Sequence, residues 1–191
     1  LSLDRRDRSD FLRHFYRRYE GAPAADLHHD TVEMASHLLL TKAFPAAVRR
    51  VREHRRLGHR TLLITGALRI AIEPLVPLFD DVICAEMDVA ADGTFTGELT
   101  DVPPTGEARA QLLVDYCDAH GFDPGETVAY ADSTSDLPLL EAAAFPVAVN
   151  PEARLSALAR KRGWLVEHFD KAKGGSDPLL PIAPPWRGRS A

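Results

Sequence analysis

The run Val128-Ala129-Tyr130-Ala131-Asp132-Ser133-Thr134-Ser135-Asp136-Leu137-Pro138-Leu139-Leu140 constrains the fold of this chain more than any other. Thr127 to Ala131 is short, apolar and partly β-branched, the texture of a buried strand in a parallel sheet. Leu137, Leu139 and Leu140 begin a helix, with Ser133 or Ser135 as its predicted cap. Between strand and helix lie Asp132 and Asp136, without a basic neighbour in sequence. A tight turn there points both carboxylates at one spot above the sheet, which favours a hard cation such as Mg²⁺. An Asp-rich loop with an ordinary helix cap fits the same residues, so the rest of the chain has to decide.

The strand-then-helix alternation recurs from Arg60 onward. The pattern predicts a strand over Thr61 to Thr65 ending at Gly66, a helix over Ala67 to Val76 and a second strand in "DDVICAEM". Alternating segments around Asp92-Gly93 predict a hairpin. Residues 106–120 read as an amphipathic helix with Leu112, Leu113 and Tyr116 inward. A strand over Pro146 to Val149, a helix over Pro151 to Arg162 and a short strand over Trp164 to Glu167 complete the series. Such alternation predicts an α/β fold built on a parallel sheet with right-handed crossovers.

Upstream, residues 1–58 read as helices. The first places Phe11, Leu12, Phe15 and Tyr19 at helical spacing, with Ser9 or Asp10 as its cap and Gly21 as its stop. The second, over 24–40, uses Leu27, Met34, Leu38 and Leu39; His28, His29 and Asp30 are adjacent and read as surface residues rather than ligands. Phe44-Pro45 opens the third, with Val48, Val51 and Leu57 inward and Arg49, Arg50, Arg52, Arg55 and Arg56 on a solvated basic face. After Asp170, Gly, Pro and Ser dominate and periodicity is lost, which predicts a tail or linker over 171–191.

A net charge of −5 over 191 residues argues against a general nucleic-acid binder. Cys84 and Cys117 stand far apart and match no metal-ligand spacing, so they read as core thiols in a reducing, cytoplasmic setting. No run is apolar enough to span a bilayer, and no signal peptide is recognisable. The first residue is Leu1 rather than Met, and the expectation is that the chain begins inside a longer one.

In open α/β sheets, ligands sit beyond the carboxyl ends of the strands. Thr65 brings a hydroxyl there and Gly66 an uncrowded backbone N–H, a pair that suits a phosphate oxygen if a helix N-terminus follows. Arg109 falls in the first turn of the 106–120 helix, where a cation opposes the helix dipole; an anion between Arg109 and Thr65 would account for it.

Thr65 at a strand end, the hairpin "DGTFTGEL", a basic residue opening a helix and "ADSTSD" occur in this order over about residues 43–169. That combination resembles the haloacid-dehalogenase-like (HAD) phosphohydrolases, nearest the phosphoserine-phosphatase-like branch with a helical cap. The resemblance implies a Rossmann-like core over 59–170 and a cap, or most of one, over 1–58. It implies that Thr65 binds the transferred phosphoryl group and that Arg109 stands where the family has a lysine that neutralises the phosphate. It further implies Asp132 as the Mg²⁺ ligand, with Asp136 and Ser133 completing the metal site. The implied reaction is hydrolysis of a small phosphorylated substrate through an aspartyl-phosphate.

Two departures stand out. Arginine keeps the charge of the family's lysine but brings a bulkier, forked group. The family's nucleophile, the first Asp of a DxDx[T/V] motif after an apolar strand, has no counterpart; Asp4, Asp7 and Asp10 lie in a charged helical stretch. In the family that strand lies between those of Thr65 and Asp132. Its loss would leave several buried backbone groups unpaired, each at about 1–3 kcal/mol. The expectation is therefore an upstream segment of the parent polypeptide that carries the strand and the nucleophile. The alternative is a non-catalytic docking or regulatory module of a larger multidomain protein.

Overall fold

The structure is a computed structural model and describes residues 3–171. The predicted tail therefore lies outside the described residues. The chain opens with α1 (Leu3–Tyr16), a 3-10 turn (Arg17–Tyr19), α2 (Ala24–Lys42) and α3 (Pro45–Arg56). Then come β1 (Leu62–Leu68), the single turn α4 (Arg69–Ile72), β2 (Asp81–Ala85), the hairpin strands β3 (Met87–Val89) and β4 (Phe95–Leu99), and α5 (Glu107–His120). The last third is β5 (Val128–Ala131), α6 (Leu137–Ala142), β6 (Phe145–Val149), α7 (Ala153–Arg162) and β7 (Leu165–Glu167).

The parallel α/β reading holds, with the strands in separate groups. β1 pairs with β2 in parallel, β3 with β4 antiparallel, and β5-β6-β7 form a parallel sheet in chain order. Among the described residues, neither β1 nor β5 has a partner on its other edge. Two hydrophobic clusters follow the same division. Tyr16, Leu68, Ala85, Met87, Phe95 and Leu99 form one, under the hairpin and α1. Ala129, Leu140, Ala143, Ala148, Leu155 and Ala159 form the other, between β5-β6-β7 and helices α6 and α7. Leu140 and Leu155 are fully buried; truncating either to Ala would cost about 2–5 kcal/mol.

The helical segment is stitched to the hairpin by backbone. Gly21 N–H donates to Phe95 O, Phe95 N–H to Ala22 O and Ala24 N–H to Gly93 O, at 2.8–3.0 Å. Contact is closest at Gly97, whose φ is +79° and whose Cβ, if present, would meet Glu20 Cβ at 3.0 Å and Arg17 Cα at 3.2 Å. No larger residue fits there without moving the turn that ends α1.

Several local expectations differ from what forms. α1 starts at Leu3, so Ser9 and Asp10 lie inside it and cap nothing. Among its described side chains Tyr16 is the buried one, backed by Leu12 and Tyr19, while Phe11 is 63% and Phe15 38% exposed. The apolar stripe is wider than the contact, and the buried Tyr16 hydroxyl decides the rotation by donating to Gly66 O at 3.0 Å. On α2, Met34 and Leu38 face outward, while Ala35 is buried and Leu27 packs against the first cluster; a small residue allows closer approach. Leu57 is exposed because α3 has ended and the chain turns at Gly58. β1 runs through Gly66 to Leu68, and the predicted 67–76 helix shrinks to α4 plus a 3-10 turn. Pro74 and Pro77 withhold the N–H groups a longer α-helix would need. β5 is not buried throughout, since Val128 lies on an edge strand and is exposed. Neither Ser133 nor Ser135 caps α6; their hydroxyls bond each other at 2.6 Å.

Helix α3 meets β5 through a polar chain. Arg50 pairs with Glu167 at 2.9 Å and donates to Tyr130 Oη at 3.4 Å. His54 Nε2 lies 2.7 Å from the same Tyr130 oxygen. His54 Nδ1 faces His59 Nδ1 at 2.9 Å. Burial, and then the charges of His59 and Arg50, hold the His54 pKa below its ordinary 6.5 against an opposing pull from Glu53. The unfolded chain therefore binds the proton more readily. Stability from this group is complete above about pH 6.5 and declines as pH falls toward the folded-state value. The thermal midpoint is expected to drop between pH 7 and 5, and to drop less in His54→Gln. Parallel profiles for the two proteins would contradict this assignment.

Candidate active site

Residues 103–109 carry the contacts that join the end of β1 to the turn after β5. Gly66 is buried, and a Cβ there would meet Leu12 Cδ1 at 3.0 Å, Pro104 O at 3.3 Å and Thr105 Cγ2 at 3.4 Å. Pro104 O accepts from Arg109 Nε at 2.8 Å. Arg109 Nη1 in turn binds Asp136 Oδ1 in an ion pair whose side chains are only 16% and 10% exposed. Across the same gap, a Cβ on Gly106 would come within 3.9 Å of Ser135 O. Thr65 and Gly66 are thus linked through Pro104 and Thr105 to Arg109 and Asp136.

The arrangement differs from expectation in three ways. Gly66 is not followed by a helix N-terminus: the strand continues for two residues, and α4 is one turn long. The anion that offsets Arg109 in the first turn of α5 is Asp136, a residue of the chain itself. Asp136 has a basic partner after all, supplied by the fold and invisible in local sequence.

The remaining groups are less engaged. Thr65 Oγ1 accepts from Ala67 N–H at 3.2 Å; among the described residues its own proton has no acceptor. That leaves a donor for an oxyanion. Asp132 is exposed at the end of β5. Its carbonyl accepts from Glu152 N–H at 2.9 Å, and among the described residues its carboxylate has no partner. Asp132, Ser133 and Asp136 present only oxygen donors, the chemistry of a Mg²⁺ site that uses one or two carboxylates and completes its shell with water and substrate oxygens. Among the described residues, no three His, Cys, Asp or Glu side chains gather as a ready-made cage. By its chemistry this oxygen-only set fits a magnesium ion, with Asp136 Oδ1 already shared with Arg109.

Sequence reasoning missed Tyr16, Pro104 and Glu152. Tyr16 and Pro104 hold the surroundings of Gly66, and Glu152 holds the acidic turn through Thr134. No local pattern marks them, because their partners lie 18–50 positions away in sequence or meet them through a backbone carbonyl.

A sequence model of the haloacid dehalogenase-like hydrolases matches residues 1–141. The chain belongs to this family. Among its HAD relatives, the histidinol-phosphatase of Neisseria meningitidis serogroup C is 31% identical over 157 residues, which are 80% of this chain and 69% of that protein. A protein of unknown function from Bordetella pertussis Tohama I superposes with a TM-score of 0.61 at 26% identity, over 85% of this chain and 81% of that one. A probable phosphoserine phosphatase from Vibrio cholerae gives a TM-score of 0.66 at 17% identity, over 84% of this chain and 47% of that one. At that identity the likeness is one of fold. This HAD chain thus spans about half of the Vibrio protein. Among the described residues, no helix is long and apolar enough to cross a membrane.

Breaking a mostly buried ion pair strands a charge. Asp136→Ala is expected to cost about 3–5 kcal/mol, measured by urea unfolding. Arg109→Lys keeps the charge but loses the bond to Pro104 O, and should cost roughly 1 kcal/mol. Equal losses in the two variants would contradict this account of the pair.

Proposed function

We propose that this chain carries the phosphate-binding and metal-binding half of a Mg²⁺-dependent phosphate-monoester hydrolase. The observation that carries the reading is the chain of contacts from Gly66 through Pro104 and Arg109 to Asp136, with an Asp132 carboxylate that has no partner among the described residues. Thr65 donates its hydroxyl proton to a phosphoryl oxygen, and Gly66 offers its N–H. Arg109 places a guanidinium beside the same group and shares its charge between Asp136 and the substrate. Asp132, with Asp136 and the Ser133 hydroxyl, holds the cation. Bound Mg²⁺ would neutralise charge on the phosphoryl oxygens.

The nucleophile in this reading is a carboxylate on a strand that fits between β1 and β5, supplied by polypeptide upstream of Leu1. The edges of both strands that are unpaired among the described residues support it. So does the placement of Asp4, Asp7 and Asp10 within α1, a helix and not a strand. The carboxylate oxygen bonds to phosphorus as the ester P–O bond breaks, and the leaving alkoxide takes a proton. Water then cleaves the aspartyl-phosphate, releasing phosphate and restoring the carboxylate.

Residues 1–58 act as the cap and 59–170 as the core. Leu12 and Tyr16 of α1, packed on Gly66, support a cap that closes over the phosphate end of the site. The substrate is a small phosphorylated molecule, a reading supported by the likeness to the Neisseria histidinol-phosphatase. The reading includes contact with further domains of the same parent chain, no nucleic acid, and a cytoplasmic setting that suits two free cysteines. In the full-length polypeptide, a panel of phosphate monoesters should show Mg²⁺-dependent turnover. Asp132→Ala should lower it by on the order of a hundredfold or more. Absence of turnover, or an Asp132→Ala variant as active as the parent, would sink the reading.

A further inference from the structure

The acidic turn is held by a residue that belongs to neither the strand before it nor the helix after it. Glu152 precedes α7, and three of its bonds reach back to the turn. Its N–H donates to Asp132 O at 2.9 Å. Its Oε1 accepts from Thr134 N–H at 2.8 Å and from Thr134 Oγ1 at 2.5 Å. The bonds fall on either side of Ser133, so Asp132, Ser133 and Thr134 are clamped as a unit.

The platform behind Glu152 is itself fixed. Asn150 adopts a positive φ of 44°, and its side chain exchanges two hydrogen bonds with the Phe169 backbone, at 3.0 and 2.9 Å. Glu152 O accepts from Ser156 N–H at 2.8 Å and so starts α7. Leu155 and Ala159 anchor that helix with no exposed surface. The turn therefore inherits the rigidity of the second hydrophobic cluster.

We infer that Glu152 is a positioning residue, which aims the Asp132 carboxylate and the Ser133 hydroxyl by gripping Thr134 and the Asp132 carbonyl. Its Oε1 is taken up by the two Thr134 bonds, so the role assigned to it is to hold the turn and not to bind the cation. The Thr134 hydroxyl, and then the Thr134 amide, hold the Glu152 carboxyl below the usual carboxylate range, as expected of an acceptor gripping two donors. The link from this clamp to metal binding rests on the Mg²⁺ reading proposed above; the clamp itself does not.

Two measurements on the full-length polypeptide separate these layers: amide hydrogen exchange over 132–136, and Mg²⁺ affinity by titration calorimetry. Gln at 152 keeps an oxygen that accepts both Thr134 bonds and removes the charge, so it separates position from electrostatics. Glu152→Ala is expected to speed exchange at Thr134 by tenfold or more and to weaken Mg²⁺ binding by about 10–100-fold; Glu152→Gln restores both. Wild-type exchange and affinity in Glu152→Ala would overturn the inference. A Gln variant that restores exchange but not affinity would overturn positioning in favour of a direct charge effect. A wild-type protein with no Mg²⁺ response would overturn the metal reading and the link to it, while the exchange data still decide the clamp.

Discussion

The ion pair between Arg109 and Asp136 holds together two halves that share no backbone hydrogen-bond ladder among the described residues. β1-β2 and β5-β6-β7 are separate sheets over separate hydrophobic clusters. Arg109 reaches Asp136 after β5 with one nitrogen and Pro104, beside the end of β1, with another. Two mostly buried charges lose hydration, and that loss is offset only by close mutual contact and by hydrogen bonds to the remaining donors. Lysine could supply the charge but not both directions at once, so the forked group suits this joint.

A second tie runs along the other side of β5. Arg50 and His54 on α3 reach Tyr130 and Glu167, while Arg55 pairs with Asp80 at 3.0 Å beside β2. The half-exposed Arg55 pair contributes little by itself. The Tyr130 hydroxyl joins the two α3 side chains, with Arg50 as a donor to it. The first two helices use different means, with backbone bonds from residues 21–24 to the hairpin and one tyrosine hydroxyl on Gly66. Candidate phosphate-binding and metal-binding groups thus lie where three packing systems meet. That placement suits a site that must hold charge in position without burying it completely.

Much of this was legible in local sequence. The strand-turn-helix around Asp132, the hairpin at Asp92-Gly93 and the helices within 106–120 and 151–162 follow from nearest-neighbour chemistry, and they form where the pattern puts them. Most of the failures trace to tertiary packing, while Pro74 and Pro77 shorten the 67–76 helix by a purely local effect. Phe11, Phe15, Met34 and Leu38 satisfy a helical period, yet face outward because a helix buries only the arc its neighbour covers. The serine caps were displaced when Ser133 and Ser135 bonded each other and Glu152 took over Thr134.

Sequence alone determined the alternation of strands and helices, the parallel sense of the core strands, and the residue types available at each strand end, because these depend on short-range periodicity and side-chain chemistry. Only the tertiary structure decided that Arg109 faces Asp136, that Tyr16 rather than Phe15 turns inward, and that Glu152 grips the acidic turn. Each of those contacts joins residues 18 to 50 positions apart. Competition among buried polar groups for partners, settled over the whole molecule at once, selects them.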